Sequence, residues 1–166
     1  VTAAANQLVY DEEVKFILGP TAFFAAAAGP VCDPNQVLRM ITWCVNTPGE
    51  VDETTPYAFM GGGGSVLNGT AAAKYLKKAY PDVEKVAVVM PDDGAVPYLK
   101  PILKDILEAE GLSVAGDAIA YPNRMQDFSP IVAKLNSLED ADGIFMQNGL
   151  VPHIGAIIKG LRQSGN

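Results

Sequence analysis

Short apolar runs alternate along the chain with longer stripes in which apolar residues recur every three to four positions, a pattern of strands followed by helices. Val14-Lys15-Phe16-Ile17-Leu18 is a short β-prone run halted by Gly19-Pro20. Leu38 to Trp43 is a second, halted near Asn46-Thr47-Pro48. Between them, Phe23 to Cys32 is alanine-rich and helix-compatible, with Gly29-Pro30 expected to kink or end it. Ahead of the first run, Gln7 to Tyr10 reads as the tail of a helix whose beginning is absent. After a polar connector over 49–56, Tyr57-Ala58-Phe59-Met60 is a short strand, followed by Gly61 to Gly64.

Leu67 to Tyr80 keeps helical spacing at Leu67, Ala71, Tyr75, Leu76 and Ala79. Val86 to Met90 is a continuous apolar run, as expected of a parallel strand covered on both faces. Tyr98 to Glu110 is a helix closed by Gly111, and Ser113 to Tyr121 is one strand with Ala115-Gly116 as a bulge. Asp127 is the candidate N-cap of a helix with Pro130 in its first turn and a stripe at Ile131, Leu135 and Leu138. Gly143 to Gln147 is a strand and Val151 to Gln163 the last helix. This order predicts an α/β fold of mainly parallel sheets flanked by helices, joined by right-handed crossovers. The compositional break at 49–64 divides it into a partial first lobe (1–57), a crossing strand with a glycine-rich hinge (58–64), and the first part of a second lobe (65–166).

Composition narrows the functions such a fold can carry. Apolar residues make up 49% of the 166 positions, enough for a sizeable core. No apolar run approaches the ~20 residues of a membrane crossing. Twelve Lys and Arg against nineteen Asp and Glu leave a net charge of −7, which argues against nucleic acid as a partner. One histidine, His153, and two cysteines, Cys32 and Cys44, are too few for a His-based metal cluster or a four-ligand site. No G-x-S-x-G elbow precedes His153, so neither catalysis nor a cofactor is expected. Gly61 to Gly64 lacks the lysine of a phosphate-binding loop and reads as a permissive hinge or loop. Asn68-Gly69-Thr70 matches a glycosylation triplet that is common by chance.

Ligands of open parallel sheets sit outside the strands' carboxyl ends, where helix N-termini also point. Four segments qualify here: Gly19 to Phe24, Cys44 to Thr47, Pro91 to Ala95, and Gln147 to Leu150. Phe23 and Phe24 either line an aromatic-accepting pocket or belong to the core. Asn46 either contacts a ligand or forms a turn before Pro48. Asp92-Asp93-Gly94 reads as a solvated turn rather than a cation site, and His153 as a surface or capping residue rather than a ligand contact. The strand between Cys32 and Cys44 separates them by roughly 20 Å, against the ~7 Å limit for Cα atoms of a disulfide.

Several of these segments carry a resemblance. Gly19-Pro20-Thr21-Ala22 leading into an alanine-rich helix resembles the G-P-x-x-S segment of type I periplasmic solute-binding proteins, specifically the branched-chain amino-acid (leucine/isoleucine/valine) receptor group of ABC importers. Met40 to Pro48 resembles the next strand and its ligand-contacting loop, Tyr57 to Met60 the strand crossing between lobes, and Val86 to Leu99 the opening of the second lobe. The most specific match, Asp127-Phe128-Ser129-Pro130 through Leu135, resembles the family's D-F-S-x-x-x-x-x-L stretch. Asp142 to Phe145 and Leu161 to Gly165 also fit, so the resemblance covers nearly the whole chain.

The resemblance implies a two-lobed periplasmic-binding-protein-like I fold with an incomplete first lobe, because whole members are about twice this length. It implies a ligand-recognition subunit, either periplasmic or a cell-surface lipoprotein, that closes by hinge motion on a small amino acid or an organic, including aromatic, carboxylate. The closed form is then presented to a membrane permease. A sensory domain on the same fold is the alternative. Carried over, the ligand-binding positions are Thr21, Ala22, Phe23 and Phe24, then Cys44, Val45 and Asn46, and in the second lobe Gly94, Ala95, Asn148 and Gly149. The family's carboxylate-holding Ser falls on Phe23, and the carbonyl that meets the ligand ammonium falls near Cys44. The Thr or Ser two residues later falls on Asn46, and the aromatic residue of the second-lobe loop on Ala95. Loss of that hydroxyl and that ring weighs against an α-amino acid. The strand at Val14–Leu18 is left with an uncovered edge, so the chain is expected to associate with another chain through its first lobe.

Overall fold

The computed structural model describes residues 1–20, 24–44, 48–92 and 94–165. The chain opens with α1 (Thr2–Asn6), continued by a π-helical turn (Gln7–Asp11), then β1 (Phe16–Leu18), α2 (Phe24–Cys32), β2 (Leu38–Ile41) and β3 (Ala58–Met60). It proceeds through α3 (Ser65–Ala79), β4 (Lys85–Asp92), α4 (Val96–Ala109), β5 (Ser113–Val114), β6 (Ile119–Pro122), α5 (Ser129–Asn136), β7 (Gly143–Met146) and α6 (Val151–Gln163). These elements form two compact units, Val1–Asn68 and Gly69–Asn166, divided inside α3.

In the first unit β1, β2 and β3 form a parallel sheet with β2 in the middle. Period-two alternation sets its faces: Arg39 and Ile41 of β2 are buried, whereas Leu38 and Met40 are exposed. Ala5 and Val9 of the opening helix pack with Ala28, Val31 and Cys32 of α2 and with Val37. The Arg39 side chain is fully buried. Its Nη1 donates to the Ala25 carbonyl at 3.0 Å, and its Nη2 donates to both Asp33 carboxylate oxygens at 2.7 and 2.8 Å. A Cβ on Gly29 would come within 3.3 Å of Asp33 Oδ2, so the glycine lets the ion pair lie against the helix.

α2 runs through Gly29-Pro30 to Cys32, where the alanine-rich stretch was expected to finish. The Asp33 N–H donates to the Gly29 carbonyl at 2.9 Å, and the buried Val31 and Cys32 hold the last turn. The glycine run also has a steric rather than a purely permissive role. The Gly61 N–H extends the β2–β3 ladder to the Ile41 carbonyl at 2.8 Å. A Cβ on Gly61, Gly62 or Gly63 would meet Met40 Cγ at 2.8 Å, the Thr42 carbonyl at 3.1 Å, or Asn68 Oδ1 at 3.0 Å.

In the second unit β4 is the centre of a parallel sheet, bonded to β5, β6 and β7. Val86 pairs with both Val114 and Gly143, and Val89 with both Ile119 and Met146. β5 and β6 therefore lie along one side of β4, with β7 along the other. The stretch expected as one strand from Ser113 to Tyr121 is thus interrupted: Ser113 faces Lys85 but Ile119 faces Val89, so two extra residues are looped out. Gly116, at φ +61°, occupies this bulge, as its sequence predicts. One layer over β4 is built by Tyr121, Phe128, Ile131, Val132 and Leu135 with Ile157 and Leu161 of α6. α4 packs on β4 through a buried stripe of Leu99, Leu103 and Leu107. β4 is buried from Val86 to Pro91, as its unbroken apolar run requires. Gly111, at φ +73°, closes α4. α5 starts one residue later than expected: Phe128 is its N-cap, and Asp127 Oδ1 accepts from the Ser129 N–H at 2.9 Å. No described helix is long and apolar enough to cross a membrane.

Candidate functional site

Each unit places its candidate residues at the carboxyl edge of its own sheet. In the first, β1 ends at Leu18 and turns at Gly19, whose φ of +105° suits glycine alone. Thr21, Ala22 and Phe23 lie outside the described residues, as do Val45 and Asn46. Phe24 opens α2 and is 49% exposed. Past the end of β2, Trp43 is 38% exposed and Cys44 is buried. Burial, with Glu50 contributing a smaller repulsion, pushes the Cys44 thiol up to about 11. Cys32 is also a free, buried thiol raised by burial.

The carbonyl of Cys44 is already engaged. It accepts the Ser65 N–H at 3.0 Å and faces the Ser65 hydroxyl at 3.4 Å. Ser65 was not among the sequence candidates; its place directly after the glycine run, at the start of a helix, is the signal that marks it. The helix-start N–H thus already takes one side of this oxygen, and the hydroxyl lies close to the other.

In the second unit β4 ends at Asp92, Gly94 turns at φ +84°, and Ala95 is buried as the N-cap of α4. β7 runs into Gln147, which is buried and donates its N–H to the Val89 carbonyl at 2.9 Å. Asn148 follows in the left-handed region at φ +55°, where Asn is one of the few side chains commonly found. Its Oδ1 accepts from Gln147 Nε2 at 3.1 Å, which orients both amides. Gly149 is held to glycine by contact, since a Cβ there would meet Ile154 Cγ1 at 2.8 Å. Gly94, Ala95, Asn148 and Gly149 therefore share one edge, because β4 and β7 are adjacent and parallel.

His153, expected as a surface or capping residue, is half-buried. It stands in the first turn of α6 with its ring 5.0 Å from Phe128 and 5.6 Å from Tyr121, and those two rings meet edge-to-face at 5.4 Å. Its Nδ1 is enclosed with no hydrogen-bond partner. The alternation of β6, which turns Tyr121 inward, is the sequence signal for this cluster.

None of the four edge segments contains Lys or Arg. α2, α4 and α6 carry no acidic residue in their first turns. An anion at these edges would thus be held by backbone N–H groups and helix dipoles rather than by a counter-charge. Among the described residues, no group of three or more His, Cys, Asp or Glu side chains could hold a metal ion.

A family profile described as periplasmic binding protein matches residues 1–166. Among solved structures, a solute-binding protein of an ABC transporter from R. palustris, in complex with 4-hydroxybenzoate, is 27% identical with a TM-score of 0.77. The match covers 99% of this chain and 43% of that one. A leucine-binding protein from Thermotoga maritima is 24% identical with a TM-score of 0.79, covering 99% of this chain and 46% of the other. A solute-binding protein from Rhodopseudomonas palustris HaA2, in complex with p-hydroxybenzoic acid, is 24% identical with a TM-score of 0.76, at the same two coverages. The chain thus spans less than half the length of these structures. No curated protein sequence matches it.

Proposed function

The chain belongs to the periplasmic binding protein family, and from that premise we propose that it is the ligand-recognising part of an extracytoplasmic solute-binding protein serving an ABC importer. Its guest is a small aromatic carboxylate rather than an α-amino acid, enclosed as the lobes of the whole protein close and then handed to a membrane permease. Association with another chain through the first unit belongs to the same reading. No chemical step is required of any residue, in keeping with a family of binding proteins.

The observation that carries the choice of guest is the carbonyl of Cys44, the expected acceptor for an amino-acid ammonium, which already takes its bonds from Ser65. Around it the edge offers aromatic surface, Phe24 and Trp43, and no cationic side chain. A ring can lie on such surfaces while its carboxylate meets helix-start N–H groups. The R. palustris structure that holds 4-hydroxybenzoate, at 27% identity, supports the same class. On the second unit, Asn148 and Gly149 with Gly94 and Ala95 are proposed ligand contacts at that sheet's own edge, the Asn amide reading a ring hydroxyl or carboxylate oxygen.

Thermal shift tests this directly. A ligand at one hundred times its Kd adds about 2.7 kcal/mol, or about 5–10 °C in a chain of this size. The expected outcome is such a shift with 4-hydroxybenzoate and none with leucine. A shift with leucine alone would overturn the guest, and turnover without reversible stabilisation would overturn the binding reading.

A further inference from the structure

Several elements bring His153 to the carboxyl edge of the second sheet. It is the third residue of α6, and a helical side chain leans back towards its helix's N-terminus, here the turn at Asn148-Gly149. Its ring lies 5.6 Å from Tyr121, next to last in β6, and 5.0 Å from Phe128, the N-cap of α5. Tyr121 in turn pairs with Pro91 near the end of β4, and a Cβ on Gly149 would lie 3.6 Å from the Tyr121 hydroxyl. The imidazole therefore stands among strand ends and helix starts, where open parallel sheets take their ligands.

Packing alone does not account for an imidazole at this place. Nδ1 is closed off by the unit's own atoms and has no hydrogen-bond partner, so the ring carries the cost of a dry polar atom that a phenyl ring would avoid. An imidazole has two nitrogens, and with Nδ1 shut away Nε2 is the one left to bond. We propose that His153 is a ligand-contacting, specificity-determining residue of this edge: Nε2 hydrogen-bonds an oxygen of an aromatic carboxylate while Tyr121 and Phe128 hold the ring in place. The inference rests on the ligand-binding reading above and deepens it, naming a side chain outside the four edge segments, none of which offers a Lys or Arg to such an oxygen.

Titration calorimetry and urea denaturation of the full-length protein test it, with 4-hydroxybenzoate as the probe. His153→Phe keeps a ring against Tyr121 and Phe128 but deletes both nitrogens. Its expected outcome is a Kd at least tenfold weaker at an unchanged or higher urea midpoint. His153→Gln sets an amide nitrogen close to the place of Nε2 and gives up the ring, so it is expected to recover most of the lost affinity at a lower midpoint. A histidine that only packs would show the opposite order. Benzoate, which lacks the hydroxyl, identifies the oxygen: an equal loss for both probes in His153→Phe assigns the carboxylate, and a loss confined to 4-hydroxybenzoate assigns the hydroxyl. Unchanged affinity in His153→Phe overturns the inference and leaves the ligand-binding reading intact. So does a fall in that variant's urea midpoint, which would mean that Nε2 is held within the protein. A wild type that does not bind 4-hydroxybenzoate overturns the guest and this inference together.

Discussion

At the scale of single residues, the first unit turns on one buried cation. Arg39 lies on β2 with its guanidinium shared between the Ala25 carbonyl and the Asp33 carboxylate, and with Nε enclosed and unpartnered. Removing one member of a buried ion pair costs far more than the pair contributes, because the charge left behind keeps its desolvation penalty. Asp33 is itself 17% exposed, which moderates the loss. Asp33→Ala is therefore expected to destabilise by about 2–4 kcal/mol, read as a fall in the urea midpoint at unchanged slope. A loss under 0.5 kcal/mol would mean that Arg39 finds water instead. The sequence places Arg39 correctly in a strand but says nothing of its burial, since charged side chains ordinarily stay outside. Its only local clue is Asp33, six residues earlier across a turn. His153 was equally opaque: a lone histidine after a proline does not announce two rings packed against it.

At the scale of elements, most of the order was legible because period two and period 3.6 alternate cleanly. β4 and the Leu99, Leu103 and Leu107 stripe of α4 are plain examples. The bulge at Ala115-Gly116 was legible in the strand from Ser113 to Tyr121, but its size was not: only pairing with β4 reveals that two residues are looped out. Glycines that mark helix contacts were likewise invisible. Gly160 of α6 sits so close to α5 that a Cβ would come within 2.6 Å of Val132 Cγ2. Gly160→Ala gains helix propensity yet must push α5 away, and overpacking of this kind costs about 1–3 kcal/mol. The expected outcome is a net loss by chemical denaturation; Gly160→Ala combined with Val132→Ala is expected to recover part of it. A more stable single variant would show that the two helices separate freely.

At the scale of the whole molecule, four aspartates shape the response to acid: Asp127, Asp140 and Asp142 tie loops to a helix or strand, and Asp52 braces its own loop. Asp142 accepts the Glu84 and Lys85 N–H groups ahead of β4, and these bonds hold its carboxyl below the usual range. Asp140 is lowered by Lys85, Asp52 by Thr54 and Gly49, and Asp127 by Ser129. A carboxyl depressed in the folded state stabilises fully above its unfolded pKa of about 4 and loses that contribution as pH falls through the folded value. The urea midpoint is therefore expected to be flat from pH 7 to about 5 and to drop below about pH 4. Asp142→Asn should start lower and fall less steeply; an identical acid limb would sink the assignment. The candidate site was legible as a set of strand ends, because the parallel sheets dictate where loops gather, whereas the engagement of Cys44 by Ser65 depends on contacts twenty-one residues apart. One consequence reaches across the first unit. Because a single guanidinium clasps the opening turn of α2 and the residue just beyond its last, the helix is braced like a splint, and a tug on Phe24 travels into β2 instead of dissipating as fraying at the tip.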